Sequence, residues 1–400
     1  MRLLSVVPEI EGFLSKFRPL LSRRQFRHFC RYIIGLVASD RKSIKRIASS
    51  CSDKVDQSNL NRFMHSYSVN DESIQSKMTE LVWRDIKKAG AAGGGRLKVY
   101  LIIDDSLLKK FGRHMDGTGY LFSTKDGKSI LCHDIVTSFM LVDGRGYPVN
   151  VKLYVKEDAC EKHSIRFKTR IELACELINS FTAPDNADVI VLFDSWYLCR
   201  DIVNAIHARG WHYVSEARSN RRVIFDGTDM SINKLPILLR HMFCDYDIEE
   251  EDELYSSFQT DVRMKGLGDI NLVMKMKMFQ KEPDEMHFLV SDLMMMTMDI
   301  RDMILTYGKR HRIEEFYRDS KQSLGLGEYM VRDIRASNRH WRLVFVAYTL
   351  LILVKNAEGL VEKTIGELCD WIRDRCIESL MSAVHSLKNL EFDQIKQMFR

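Results

Sequence analysis

The sequence predicts an α/β fold, in which one mixed sheet is interrupted by a β-rich insertion and flanked by a helical N-terminal domain and a helical C-terminal segment. Three observations carry this. Residues 1–90 show only helical periodicity and end at a Gly/Ala run, Ala89-Gly-Ala-Ala-Gly-Gly-Gly95. Beyond that run, the short apolar stretches Leu97–Ile103 and Val189–Phe193 read as buried strands, and each is followed directly by an aspartate. From about Met296 the helical period returns and persists to the end.

Composition sets the bounds. Four hundred residues with 45% hydrophobic content can bury a large core, and six prolines argue against long disordered tracts. The net charge of +5 is unevenly spread: residues 1–50 carry eleven Lys/Arg against Glu9, Glu11 and Asp40, and Asp247–Glu253 is a compensating acidic run. A basic front end suits nucleic acid and equally suits a solvated helical surface. Nine cysteines show neither CxxC nor zinc spacing, so all are expected reduced in a cytoplasmic protein, with Cys369 and Cys376 on a buried helix face. Met1–Pro8 lacks a signal-peptide apolar core, and the longest apolar run, Leu343–Val354, is too short to span a bilayer.

In the N-terminal domain, Ser43–Ala48, a polar break and Asp56–Phe63 fit a helix-turn-helix, and an ordinary helical hairpin fits equally well. Gln57, Asn59 and Arg62 are residue types able to read base edges. After the 91–96 linker, the strand 97–103 is followed by a hairpin, 129–142 and 147–155, around Asp143-Gly-Arg-Gly146. A helix over 163–181, the strand 189–193, a helix over 197–209 and a strand over 211–215 complete the first part of the core, 97–219. In that order the first and fourth strands can lie side by side, so Asp104 and Asp194 would meet. Residues 220–295 read as the β-rich insertion, 296–345 as the rest of the core, and 346–400 as the C-terminal helical region.

One stretch stands out, Tyr307 to Lys321. At 100° per residue, Tyr307, Arg310, Glu314 and Lys321 fall at about 0°, 300°, 340° and 320°, on one face if the helix already runs at Tyr307. Ile313, Phe316 and Leu324 lie elsewhere and can anchor that helix, with Gly325 as its stop. An i,i+4 Arg–Glu pair on a solvated face is the bland reading. Three carboxylates meeting without His or Cys, Asp104, Asp194 and Glu314, suit Mg²⁺ or Mn²⁺, and two such ions can activate an attacking hydroxyl and stabilise a leaving oxygen. No Gly-rich phosphate loop and no G-x-S-x-G context accompany them.

Tyr307, Arg310, Glu314 and Lys321 match Tyr-x2-Arg-x3-Glu-x6-Lys, and the chain resembles bacterial insertion-sequence transposases with an RNase H-like DDE core that carry this signature. Ile103-Asp-Asp-Ser106 resembles the group's first Asp motif and Leu192-Phe-Asp-Ser-Trp-Tyr197 the second. The separations of 90 and 120 residues, the second holding the β-rich stretch, are similar too. The resemblance covers about 97–350.

It implies a catalytic and metal-binding triad of Asp104, Asp194 and Glu314 holding two Mg²⁺ (or Mn²⁺) ions, with Tyr307, Arg310 and Lys321 on DNA phosphates. Asp104 is preferred over Asp105 because Asp-x-Ser fits Ser106, and Glu314 over Glu315 by the signature. Arg312 and Arg318 are further DNA-contact candidates, as are Lys109, Lys110, Arg332, Arg335, Arg339 and Arg342, for each of which a solvated basic face fits equally well. Some relatives stack a flipped base on an insertion-domain Trp; at the similar place this chain has Phe288, a candidate for stacking. The implied activity is cutting at insertion-sequence ends followed by joining of the 3′-hydroxyls to target DNA. The implied partners are double-stranded DNA, as terminal inverted repeats and target, and a second copy of the chain. A nuclease that cleaves without joining, and a non-catalytic DNA-binding regulator, are the alternatives.

Overall fold

The computed structural model describes residues 6–51, 56–88, 90, 95–112, 114–161, 165–248, 253–278 and 285–386. Most of the Gly/Ala linker, the break after Cys51 and part of the acidic run lie outside them.

Among the described residues, five α-helices come first: α1 (Pro8–Ser15), α2 (Arg23–Ala38), α3 (Ile44–Ser50), α4 (Gln57–His65) and α5 (Asp71–Lys88). Each start has a chemical cause, for example the reciprocal Ser22–Gln25 capping box on α2 and Asp56 accepting from Ser58 N–H on α4. The core follows with β1 (Leu97–Lys109), β2 (Gly119–Ser123), β3 (Lys128–Val142), β4 (Arg145–Tyr154), α6 (Glu157–Cys160), α7 (Arg170–Ser180), β5 (Ala187–Phe193), α8 (Arg200–His207) and β6 (His212–Glu216). The insertion comprises β7 (Arg222–Phe225), β8 (Thr228–Ser231), α9 (Leu235–Leu238), β9 (Cys244–Ile248), β10 (Glu253–Met264), β11 (Gly268–Lys277) and β12 (His287–Ser291). Helices α10 (Ile300–Gly308), α11 (His311–Ser323), α12 (Ile334–Ala357) and α13 (Ile365–Ser386) complete the described chain.

The strands form one mixed sheet in the order β2-β3-β1-β5-β6-β12-β11-β10-β7-β8, with β4 also on β3 and β9 also on β10. Strands β1, β5 and β6 run parallel, and β3 pairs antiparallel with β1, an arrangement consistent with an RNase H-like DDE fold. The insertion returns through β12, which pairs antiparallel with β6, so it lengthens the same sheet.

Alternation along β1 sends neighbouring side chains to opposite faces. Ile102 joins the core under α11, α12 and the N-terminal helices, whereas Leu101 and Ile103 join the core under α7 and α8. The first of these cores runs without a break from Val7 through α12 to Cys376. The N-terminal helices are locked to it by the buried Arg339 of α12, which donates to the carbonyls of Phe63, Met64 and Val69 and pairs with Asp71. Arg339 is therefore a packing group and not a DNA contact. All nine cysteines are free thiols, and Cys369 and Cys376 are buried as expected. No helix among the described residues is long and apolar enough to cross a membrane.

Several boundaries differ from expectation. Strand β1 runs on to Lys109 because β3 pairs with it throughout, so Asp104 lies within a strand, two residues past the last β5 partner, Ile102. Helix α7 begins at Arg170, well after His163, where the Thr169–Glu172 capping box fixes its start. The β3–β4 turn is tighter than a four-residue loop: Asp143 and Gly144 both adopt positive φ (50° and 71°), as a two-residue type I′ hairpin requires. Strand β2 had no signal beyond the short, exposed run Tyr120-Leu-Phe122.

Candidate active site

Strands β1 and β5 place Asp104 and Asp194 at the same end of the sheet, where β5 stops at Phe193. On β1, Asp104 shares its face with Ile102 and Ser106, toward α11, and Asp105 faces α7 and α8. Helix α11 is anchored by Ile313, Phe316 and Tyr317, and it ends at Ser323, two residues before Gly325, whose φ of 69° lets Leu326 N–H reach back to Ser320 O. That anchoring turns Arg310, Glu314 and Lys321 toward β1.

The contacts are specific. Arg310 donates to Asp104 Oδ2 at 3.3 Å and pairs with Glu314 Oε1 through its other terminal nitrogen. His311 Nδ1 lies 3.0 Å from Glu314 Oε2. Asp104 Oδ1 accepts from Asp105 N–H at 2.9 Å, and Tyr317 donates its hydroxyl to Asp104 O at 3.1 Å. Lys321 Nζ lies 2.8 Å from Ser106 Oγ and 3.3 Å from Leu107 O. Asp194 Oδ1 accepts from the backbone N–H of Trp196 and Tyr197, an Asx-turn that fixes the carboxylate after β5. Burial pushes the Asp104 carboxyl up to about 7, against the pull of Arg310 and with Asp105 and Asp194 adding to the rise. Burial lowers Lys321, with Lys125 adding to the effect.

Tyr307 departs from the expected shared face. Helix α10 ends at Gly308, Lys309 and Arg310 form a turn, and α11 starts at His311, so the four signature residues do not share one helix. The Tyr307 hydroxyl points to Glu216 Oε2, 3.5 Å away at the end of β6. Phe288 is 3% exposed within β12, packed in the α7/α8-side core, and so is not available for base stacking. Lys110 is buried, with its ammonium 3.2 Å from the centre of the Tyr329 ring and donating to Gly327 O, so it is a packing residue. Arg312 and Arg318 lie exposed on α11 and pair with Glu315 and Asp319. Gln57 and Arg62 are exposed on α4, and Asn59 is half-buried there.

A second polar cluster, on the opposite face of β1, was not anticipated. Asp105 Oδ1 accepts from Tyr197 OH at 2.9 Å, and the fully buried Asp134 of β3 pairs with Arg170 of α7 at 2.5 Å. Burial raises both carboxyls, Asp134 to about 7. The sequence did hold a signal, since Asp134 is the lone acid within the largely apolar stretch Ile130–Val142.

Among the described residues, no three His, Cys, Asp or Glu side chains stand close enough together to hold a metal ion. The donor chemistry still fits a hard divalent cation. Asp104, Asp194 and Glu314 offer only carboxylate oxygens, and the space between Asp104 and Glu314 already holds the positive charge of Arg310.

The DDE superfamily endonuclease family matches residues 16–234, more than half of the chain. The chain belongs to this family. The match includes Asp104 and Asp194 and ends before Glu314. No curated protein matches the chain. Family membership gives a nuclease or transposase type of function, a class that acts on DNA and typically uses divalent metal ions.

Proposed function

We propose that this DDE endonuclease is a DNA transposase, cutting at insertion-sequence ends and joining the freed 3′-hydroxyls to target DNA as a homodimer. The observation that carries the reading is the meeting of Arg310, in the turn before α11, and Glu314 of α11 with Asp104 of β1 at the end of the sheet where Asp194 also lies. Asp104, Asp194 and Glu314 would hold two Mg²⁺ or Mn²⁺ ions, which when bound activate the attacking hydroxyl and stabilise the leaving oxygen.

The chain's own residues do the positioning. Arg310 pairs with both Asp104 and Glu314 and offsets part of their charge, and its planar fork would suit a phosphate. Lys321 supplies a point charge beside Ser106. Tyr307, tied to Glu216, closes the wall next to β6. In the N-terminal domain, Gln57, Asn59 and Arg62 on α4 are proposed to meet the DNA ends, with Arg312 and Arg318 as outer backbone contacts.

The test supplies DNA carrying the sequences that flank the coding region, a target plasmid and Mg²⁺. Joined donor–target products support the transposase. Nicking without joined products would make the chain a nuclease, and no metal-dependent nicking would leave a regulator.

A further inference from the structure

Beyond Ile102, the edge of β1 that carried β5 has no strand partner among the described residues. A groove of about 670 Å³ runs along this free edge, from Asp105 and Ser106 out to the tip of the β2–β3 hairpin. It starts beside Asp104, so a strand lying in it would continue directly from the proposed cleavage site.

Its lining has two properties together. Lys109, Lys125, Arg170 and Lys321 supply four cations against two lining acids, Asp105 and Asp126; Arg170 is paired with Asp134 and Lys109 stands 3.8 Å from Asp126, so Lys125 and Lys321 carry the excess. The charge left over is positive, which matches a phosphate backbone. Phe122, on the edge strand β2, also lines the groove and is 65% exposed. Lysines alone would serve a duplex, whose outer surface is phosphate and sugar. Along a continuous duplex each base face is covered by its stacked neighbours, so an exposed ring beside the backbone finds a base face most readily where the bases are unpaired.

We propose that this groove binds a short unpaired segment of DNA that continues from the cleavage site, with its phosphates on Lys109, Lys125 and Lys321 and a base stacked on Phe122. The inference rests on the reading of the chain as an enzyme acting on DNA. It adds that the strand beside the cut is held open, which lets a bound end depart from duplex form within the site.

The experiment measures fluorescence anisotropy without divalent ions, so that no cutting intervenes. The probes are a short duplex of arbitrary sequence and the same duplex with a single-stranded oligothymidine tail. The native chain is expected to bind the tailed duplex more tightly. Phe122→Ala should weaken that complex about tenfold and leave the fully paired duplex unchanged. Phe122→Trp should keep the preference. The double variant Lys109→Ala/Lys125→Ala should weaken the tailed complex and flatten its salt dependence. Equal binding of both probes by the native chain, equal losses on both in Phe122→Ala, or an unchanged tailed complex in either alanine variant overturns the inference and leaves the transposase reading in place. A native chain that binds neither probe overturns both.

Discussion

Arg310 donates to Asp104 Oδ2 at 3.3 Å, tying the helix that follows the insertion to the first strand of the core. The same guanidinium holds Glu314, so one cation joins two of the three proposed metal ligands. Two like-charged carboxylates standing alone at this site would repel, and Arg310 offsets that repulsion.

Replacing it tests this arrangement. Arg310→Gln is expected to lower metal-free stability by about 2 kcal/mol, the usual scale for a largely buried carboxylate that loses its partner. Added Mg²⁺ should then raise the melting temperature more in the variant than in the native chain, because the ion no longer competes with the guanidinium. Equal Mg²⁺ responses in thermal melts would show that Arg310 and the ion do not share a place.

The choice of acids is checked by isosteric substitution. Asp104→Asn, Asp194→Asn and Glu314→Gln should each reduce Mg²⁺-dependent nicking by at least about a thousandfold while DNA binding persists. Asp105→Asn, on the opposite face with Tyr197, should lose far less. If Asp105→Asn is the inactive member of the pair, the register on β1 moves by one residue.

Lys321→Ala probes the phosphate contact. Lys321 stands over Ser106 and Leu107 O, so its removal should weaken DNA complexes and reduce the slope of log K against log salt by about one. An unchanged slope in anisotropy titrations would confine Lys321 to holding α11 on β1.

Acid should weaken the fold through two buried histidines. Burial holds His133 down to about 4 and His340 down to about 3, with Lys110 adding to both effects. His133 bonds Tyr329 OH and Asp116 O, and His340 bonds Tyr32 OH and Gly325 O. Both folded values lie below the ordinary 6.5, so these two groups favour the unfolded chain as pH falls from about 6.5 toward 3, against the opposite contribution of Asp104 and Asp134, whose raised carboxyls favour the folded chain as pH falls below about 7. Denaturant melts at several pH values read the balance, and His340→Gln should lessen the loss toward acid.

Arg339 should matter for folding and not for DNA. Its guanidinium is buried among three carbonyls and Asp71, so Arg339→Met is expected to cost about 3 kcal/mol. Faster proteolysis of the N-terminal helices, compared with the native chain, would locate the loss.

The sequence by itself determined the fold class and the order of the main core elements, β2 excepted. Apolar runs, turn chemistry and helical period are local properties, and Leu97–Ile103, Asp143-Gly144 and Ile313–Phe316 each announce their structure within a few residues. It also singled out Asp104, Asp194, Arg310, Glu314 and Lys321 as candidates, because lone charges beside apolar strands and at fixed helical spacing are visible without coordinates. Tertiary structure decided the rest. Whether Tyr307 joins α11 depends on the turn at Lys309 and Arg310. Whether Lys110, Phe288 and Arg339 meet solvent depends on which elements pack over them, and periodicity is silent about that. The Asp134–Arg170 pair and the free edge of β1 arise from strand register and from where β5 stops, so they exist only once distant segments are in place.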